Sequence, residues 1–228
     1  MERYKKNIEL LQNNNVYSKE MEHDACGVGL VASTQGKKSR EVVEYGIEAL
    51  KAVWHRGAVD ADGKTGDGAG IHLEIPKDFF IEKIEITGHK FDNAEICVGM
   101  IFLPRNNFES QETSRTIIER ELTKSNFSIY GWRQVPVNPK VLGEKADSTR
   151  PEIAQVLFKH NDIDLNGKDL ERRLYETRRK IENEAIKNSL DGLYICSLSS
   201  KSIIYKGMFL AESISDFYID LQDKRFIS

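Results

Sequence analysis

Apolar residues recur along this chain with two periods, and the switches between them mark out its elements. From Arg40 to His55, Val43, Ile47, Leu50 and Trp54 fall at spacings of four, three and four, the stripe of one helix face. Leu170, Leu174, Ile181 and Ala185 form the inner face of a long charged helix from Leu170 to Ile186, and a further helix is predicted from Glu112 to Thr123. Shorter runs that stop at Pro, Gly or Ser read as strands: Gly27 to Ser33, Ile71 to Ile75, Ile96 to Leu103, Gly131 to Val135 and Ile153 to Phe158. Leu193 to Leu198 and Ser202 to Met208 form a hairpin across Ser199-Ser200-Lys201. A helix from Ile214 to Leu221 precedes Lys224-Arg225-Phe226-Ile227-Ser228, and the last three of those residues look like the opening of a strand.

Strands outnumber long helices, and no repeat, low-complexity tract or Pro/Ser linker divides them. The pattern therefore predicts one α+β domain with helices packed on sheets. At 228 residues the chain is long enough for a full core. Its 33 basic and 36 acidic residues nearly cancel, which leaves no field to recruit nucleic acid or an anionic membrane. The longest apolar runs are too short to cross a bilayer. Residues 1–25 have basic residues but no apolar core, so they read as a leader and not as a secretory signal.

Three cysteines, at 26, 97 and 196, form no Cys-x-x-Cys pair. An odd, scattered set argues for a reducing, cytoplasmic setting and against a disulfide framework or a metal site. Cys97 and Cys196 fall inside predicted strands and read as small core residues. The histidines at 23, 55, 72, 89 and 160 show no ligand spacing.

Three motifs suggest phosphate or metal chemistry and fail on inspection. Gly27-Val28-Gly29-Leu30-Val31-Ala32 has the spacing of a dinucleotide fingerprint, but that fingerprint follows a strand and opens a helix; here a polar leader precedes and a strand continues. Gly63-Lys64-Thr65 lacks the first glycine of a phosphate-binding loop. Asp60-x-Asp62 opens like a calcium loop, but Thr65 and Ile71 stand where that loop needs Gly and Glu.

Cys26 is the strongest chemical candidate. Its thiol, with an ordinary pKa of about 8.5, is only a few per cent thiolate at neutral pH and needs a base. His23 lies on the wrong side of the leader's end. If residues 1–25 were removed, the freed α-amine of Cys26, roughly a tenth unprotonated at pH 7, would serve. Gly27 and Gly29 carry no Cβ, so a substrate could lie against that backbone. From this segment alone, a plain edge strand remains the competing account.

Asp24-Ala25-Cys26-Gly27-Val28-Gly29 and the stretch from His55 to Pro76 together resemble the start of the large chain in the glutamate synthase family. The resemblance continues through Val98 to Pro104, Gly131 to Pro136 and Tyr205 to Met208, and spans about residues 22 to 226. It implies a class II glutamine amidotransferase domain over 26–228, of the N-terminal nucleophile hydrolase type, a four-layer αββα sandwich. Residues 1–25 would be a propeptide and Cys26 the nucleophile that converts L-glutamine to glutamate and ammonia through a thioester. Arg56 and Gly57 match the family's His-Arg-Gly element beside the nucleophile and are the expected site-shaping residues; a helix-end charge is the alternative for Arg56.

The same resemblance implies no cofactor in this segment. FMN and an iron–sulfur cluster would sit in a C-terminal part of the parent protein, where ammonia meets 2-oxoglutarate. A small electron-transfer subunit or ferredoxin would be the partner there. The chain ends at Phe226-Ile227-Ser228, before the family's His-Ser-Arg-Phe-Ser-Thr-Asn and Asn-Gly-Glu elements. The domain is therefore expected to be incomplete at its C-terminus, and these residues alone to be inactive as a glutaminase. Two other readings compete with this one: a non-catalytic binding or scaffold module of the same fold, and another class II amidotransferase.

Overall fold

A computed structural model describes residues 2–14, 27–53 and 58–228. Its centre is a sheet of four antiparallel strands in the order β3 (Phe127–Gln134), β4 (Glu152–His160), β2 (Cys97–Leu103) and β5 (Tyr194–Ser199). β2 is central, with Met100 opposite Gln155 of β4 on one side and Ser197 of β5 on the other. Its side chains alternate between two cores, which explains why the sequence is apolar almost throughout. Cys97, Ile101 and Leu103 join one core, Val98 and Met100 the other. Gly99 lies between Val156 and Leu198, where a Cβ would come within 2.7 and 2.9 Å of their methyl groups.

The first core is closed by α4 (Phe108–Lys124) and α6 (Gly167–Lys187), through Ile117, Ile118 and Leu122 of one and Leu170, Leu174 and Ile181 of the other. Asn107 starts α4 by accepting a hydrogen bond from Ser110 N at 2.9 Å. Each fully buried Leu or Ile here contributes about 1.5–3 kcal/mol over its exposed state.

The second core lies between the four-stranded sheet and an antiparallel pair, β1 (Ala69–Glu74) with β6 (Ser202–Gly207), in which Ile71 faces Tyr205 and Leu73 faces Ile203. α2 (Arg40–Ala52), capped by Ser39, packs on β1 through Val43 and Ile47. Contacts thus run from helices to the four-stranded sheet, to the paired strands, to a helix, in keeping with the α+β class and layer order expected. α3 (Lys77–Ile86) and α7 (Ile214–Phe217) fill the remainder with Phe79, Phe80, Ile84 and Phe217.

A polar knot crosses this second core. Arg133 of β3 donates to both carboxylate oxygens of Asp220, at 2.6 and 2.7 Å, and to Gln155 Oε1 at 2.7 Å. Tyr205 donates to Asp220 at 3.2 Å and accepts from Gln155 Nε2 at 3.1 Å. Burial pushes the Tyr205 hydroxyl well above its ordinary range, so it remains a donor.

Three local expectations are corrected. Residues 27–33 form no strand: Val28 and Leu30 are 92% and 91% exposed, and no described strand lies alongside them. Alternation is a local signal, whereas a strand needs a neighbouring edge to take its hydrogen bonds. Two helices arise where none was expected, α1 (Glu2–Asn13) in the leader and α3 directly after Pro76. A third unpredicted helix, α5 (Glu144–Thr149), precedes β4. The final residue pairs without forming a strand: Ser228 and Ser39 exchange backbone hydrogen bonds of 3.0 and 3.3 Å.

Candidate functional site

A cleft of about 1260 Å³ opens where the ends of β1, β2, β4 and β6 meet. This is somewhat above the roughly 300–1,000 Å³ of ordinary small-molecule pockets. Phe102 and Ile153, opposite one another in the β2–β4 register, line it from the large sheet. Gly70 and His72 of β1 and Ile204 and Lys206 of β6 line it from the paired strands. The turn after β6, from Gly207 to Glu212, closes another side.

The remaining wall is the glycine-rich loop from Ala58 to Gly68, docked on α5. A bridge between Val59 and Gly66, with hydrogen bonds from Asp60 N to Thr65 O at 2.9 Å and from Asp67 N to Ala58 O at 3.3 Å, folds the loop back on itself. Asp62 Oδ1 accepts from the backbone of Lys64 and Thr65 at 2.9 and 2.7 Å, and its Oδ2 accepts the Thr65 hydroxyl at 2.6 Å. That hydroxyl, and then the two backbone N–H groups, hold the Asp62 carboxyl down at about 2. Lys145 of α5 pairs with Asp60 at 2.6 Å. Ala146, Thr149 and Arg150, one face of α5 and its cap, then point the helix at the cleft.

The glycines of this loop are explained by close packing. Gly66 lies under the turn after β6, where a Cβ would come within 2.7 Å of the Phe209 carbonyl oxygen. Gly68, at φ +130°, takes a conformation that L side chains rarely adopt.

Two cationic groups line the cleft in fixed poses. Arg150 Nε donates to Asp147 at 2.8 Å, and its two terminal nitrogens have no partner among the described residues. Lys206 donates to Tyr194 at 2.6 Å and lies 4.4 Å from that ring's centroid.

Cys26, Arg56 and Gly57 lie outside the described residues. Their chain neighbours do not: Gly27, next to Cys26, and Ala58, next to Gly57, both line this one cleft. The other two cysteines are buried, Cys97 in the first core and Cys196 in the second, and burial pushes the Cys196 thiol up to about 11. Sequence reasoning did not single out Phe102, Ile153, Arg150 or the turn at 209–212. The only signal for that wall was the run from Tyr205 to Met208.

The family model of the class-II glutamine amidotransferases matches residues 26–228. The chain is 52% identical over 225 residues to the glutamate synthase (NADPH) large chain of Azospirillum brasilense, covering 99% of this chain and 15% of that one. It is 36% identical over 217 residues to the glutamate synthase (NADPH) large chain of Bacillus subtilis, covering 93% of this chain and 14% of the relative. With the ferredoxin-dependent glutamate synthase 1 of Arabidopsis thaliana it shares 40% identity over 209 residues, 91% of this chain and 13% of the relative.

Proposed function

This chain belongs to the class-II glutamine amidotransferases, and we propose that its cleft binds L-glutamine and that Cys26 opens the side-chain amide. The observation that carries this reading is the convergence of Gly27 and Ala58, the neighbours of Cys26 and Gly57, on one cleft. The family match, beginning at residue 26, supports Cys26 as the first residue of the working domain and residues 1–25 as a propeptide.

The chemistry then follows from the residue types. The thiol loses its proton to the free α-amine of Cys26, and Sγ attacks the glutamine side-chain carbonyl. Collapse of the tetrahedral intermediate breaks the C–N bond, the proton returns to the departing nitrogen, and ammonia leaves. Water attacks the thioester with the same amine as base, the C–S bond breaks, and glutamate is released. Arg56 and Gly57 shape the site beside the nucleophile.

The chain spans about one seventh of the length of the relatives it matches, so the fate of the ammonia is read at the level of a longer protein. We assign it to a synthase part that combines ammonia with 2-oxoglutarate, with a small electron-transfer subunit or ferredoxin as partner. FMN and an iron–sulfur cluster belong with that part. Cys97 and Cys196 are buried in separate cores and cannot supply a cluster's thiolate set. No helix among the described residues is long and apolar enough to cross a membrane, and the free thiols of Cys97 and Cys196 suit the cytoplasm.

Cys26→Ser in the full-length protein tests the reading. Glutamine-dependent activity is expected to fall by roughly 10⁴-fold or more, and the intact mass of the natural protein is expected to begin at Cys26. Unchanged activity, or a start at Met1, would instead favour a binding module of the same fold.

A further inference from the structure

The geometry points to a clamp, built from Asp62, Thr65 and Gly143, that positions the cleft's loop wall for glutamine binding. This rests on the reading of the cleft as the glutamine site, and it assigns the three residues a positioning role, not a catalytic one.

Thr65 is the centre of the clamp. Its side chain is 2% exposed, although it sits in a glycine-rich loop on the surface of the fold. The hydroxyl has two partners from different elements: it donates to Asp62 at 2.6 Å within the loop and accepts from Ala146 N of α5 at 3.3 Å. Gly143, just before α5, packs so tightly on this pair that a Cβ there would overlap the Asp62 carboxylate and the Thr65 hydroxyl. Loop and helix are thus locked by small groups without slack. A long exposed salt bridge, such as that of Lys145 to Asp60, would hold them far less firmly.

The clamp stands one step from the cleft on both sides. Gly63, Gly66 and Asp67 line the cleft from the loop; Ala146, Thr149 and Arg150 line it from the helix. The loop also runs on from Gly57 in the sequence, so it is tethered to the expected site residues. None of the three residues belongs to either hydrophobic core, and the second core holds α5 independently through Leu142 and Ala146, so opening the clamp releases the loop wall of the cleft first. A loosened wall away from the reacting atoms weakens ground-state and transition-state binding alike, which raises KM and leaves kcat nearly unchanged.

The test uses the full-length protein and follows glutamate release from glutamine. Thr65→Val removes the hydroxyl and Gly143→Ala wedges the clamp apart. Each is expected to raise KM for glutamine about tenfold while kcat changes by less than about threefold. Thr65→Ser is expected to restore KM to within about twofold of the natural protein. Because both substitutions break one device, the double variant is expected to be no worse than the poorer single one; independent defects would multiply. Asp62→Asn carries the test if Thr65→Val fails to fold, with KM raised in the same way. An unchanged KM in Thr65→Val, failure of Thr65→Ser to rescue, or multiplying effects would overturn the clamp. A Cys26→Ser variant run alongside separates the two claims: if it stays active, the site reading fails, whereas a dead Cys26→Ser beside an unaffected Thr65→Val removes the clamp alone.

Discussion

Asp220→Ala is expected to destabilise the domain by about 3–5 kcal/mol, the range seen when one partner of a buried ion pair is removed. The structure explains why the effect should lie there and not near the zero to one of a surface pair. The side chains of Asp220 and Arg133 are only 3% and 13% exposed, and Asp220 accepts three hydrogen bonds, two from Arg133 and one from Tyr205. Truncation leaves a guanidinium in the second core with Gln155 as its only remaining hydrogen-bond acceptor among the described residues, and it orphans the Tyr205 hydroxyl proton. The pair also ties the turn at Ile219–Gln222 to β3, and Phe217 just before that turn lines the cleft. The loss should therefore reach the site.

Equilibrium urea unfolding would read the effect. At a slope of about 2–3 kcal/mol per molar, the midpoint should fall by about 1–2.5 M. The control is the double change Arg133→Met with Asp220→Leu, which removes both charges. It should cost much less than the sum of Asp220→Leu and Arg133→Met made singly, because no charge is then left buried alone. A midpoint shift below about 0.3 M for Asp220→Ala, or simple additivity in the double variant, would refute the reasoning.

Three other outcomes are expected. Gly66→Ala should lower the thermal midpoint and cost about 1–3 kcal/mol, because its methyl meets the backbone of Phe209, which cannot swing aside; a calorimetric scan within error of the natural protein would count against that packing. Asp62 should shape the acid limb of the stability curve. Its folded pKa of about 2 lies below the ordinary 3.8, so the unfolded chain takes up the proton first; the stabilisation is full above about pH 4 and is lost as pH falls through about 2. Asp62→Asn should flatten the dependence of the urea midpoint between those limits, and an unchanged slope would contradict it. Alkylation should separate the cysteines: in the natural full-length protein iodoacetamide should label Cys26 first, while Cys97 and Cys196 stay unreacted until urea unfolds both cores. Peptide mass mapping with early label at Cys196 would contradict that order.

The parts of the fold that were legible in sequence are those whose burial follows from their own period. β2, β4 and β5 sit in cores that accept them at nearly every position, β6 alternates with Ile203 and Tyr205 buried, and α2, α4 and α6 each carry a single apolar stripe. α3 was missed because its stripe is blurred. Phe79, Phe80 and Ile84 are buried while Ile86 is 71% exposed, and Pro76 signals the end of β1 as strongly as the start of a helix. The segment at 27–33 misled in the opposite way, with a clean local pattern and no pairing strand among the described residues. Cys26, the proposed nucleophile, was singled out through the resemblance that runs along the chain, because its own segment suits a plain edge strand equally well. The cleft walls could not be picked out, since Phe102 and Ile153 meet only through register, and Arg150 reaches the cleft only because α5 docks on a loop some eighty residues earlier in the chain.

That loop shows how the chemistry of a motif is decided by where its groups are already committed. The pair Asp60-x-Asp62, in a stretch with five glycines from residue 57 to 70, looks like a place for a cation or a phosphate. In the fold, Asp60 is tied to Lys145, and Asp62 accepts donors on both oxygens from its own turn. Neither carboxylate is left with the open oxygens that a calcium site requires. Gly66, meanwhile, lacks a side chain because Phe209 presses on it, not because a phosphate must approach. The charges close the loop and the missing side chain seats it against β6. What remains on the cleft side, Gly63, Gly66, Asp67 and Gly68, is a wall held in place from behind, as the proposed glutamine site requires.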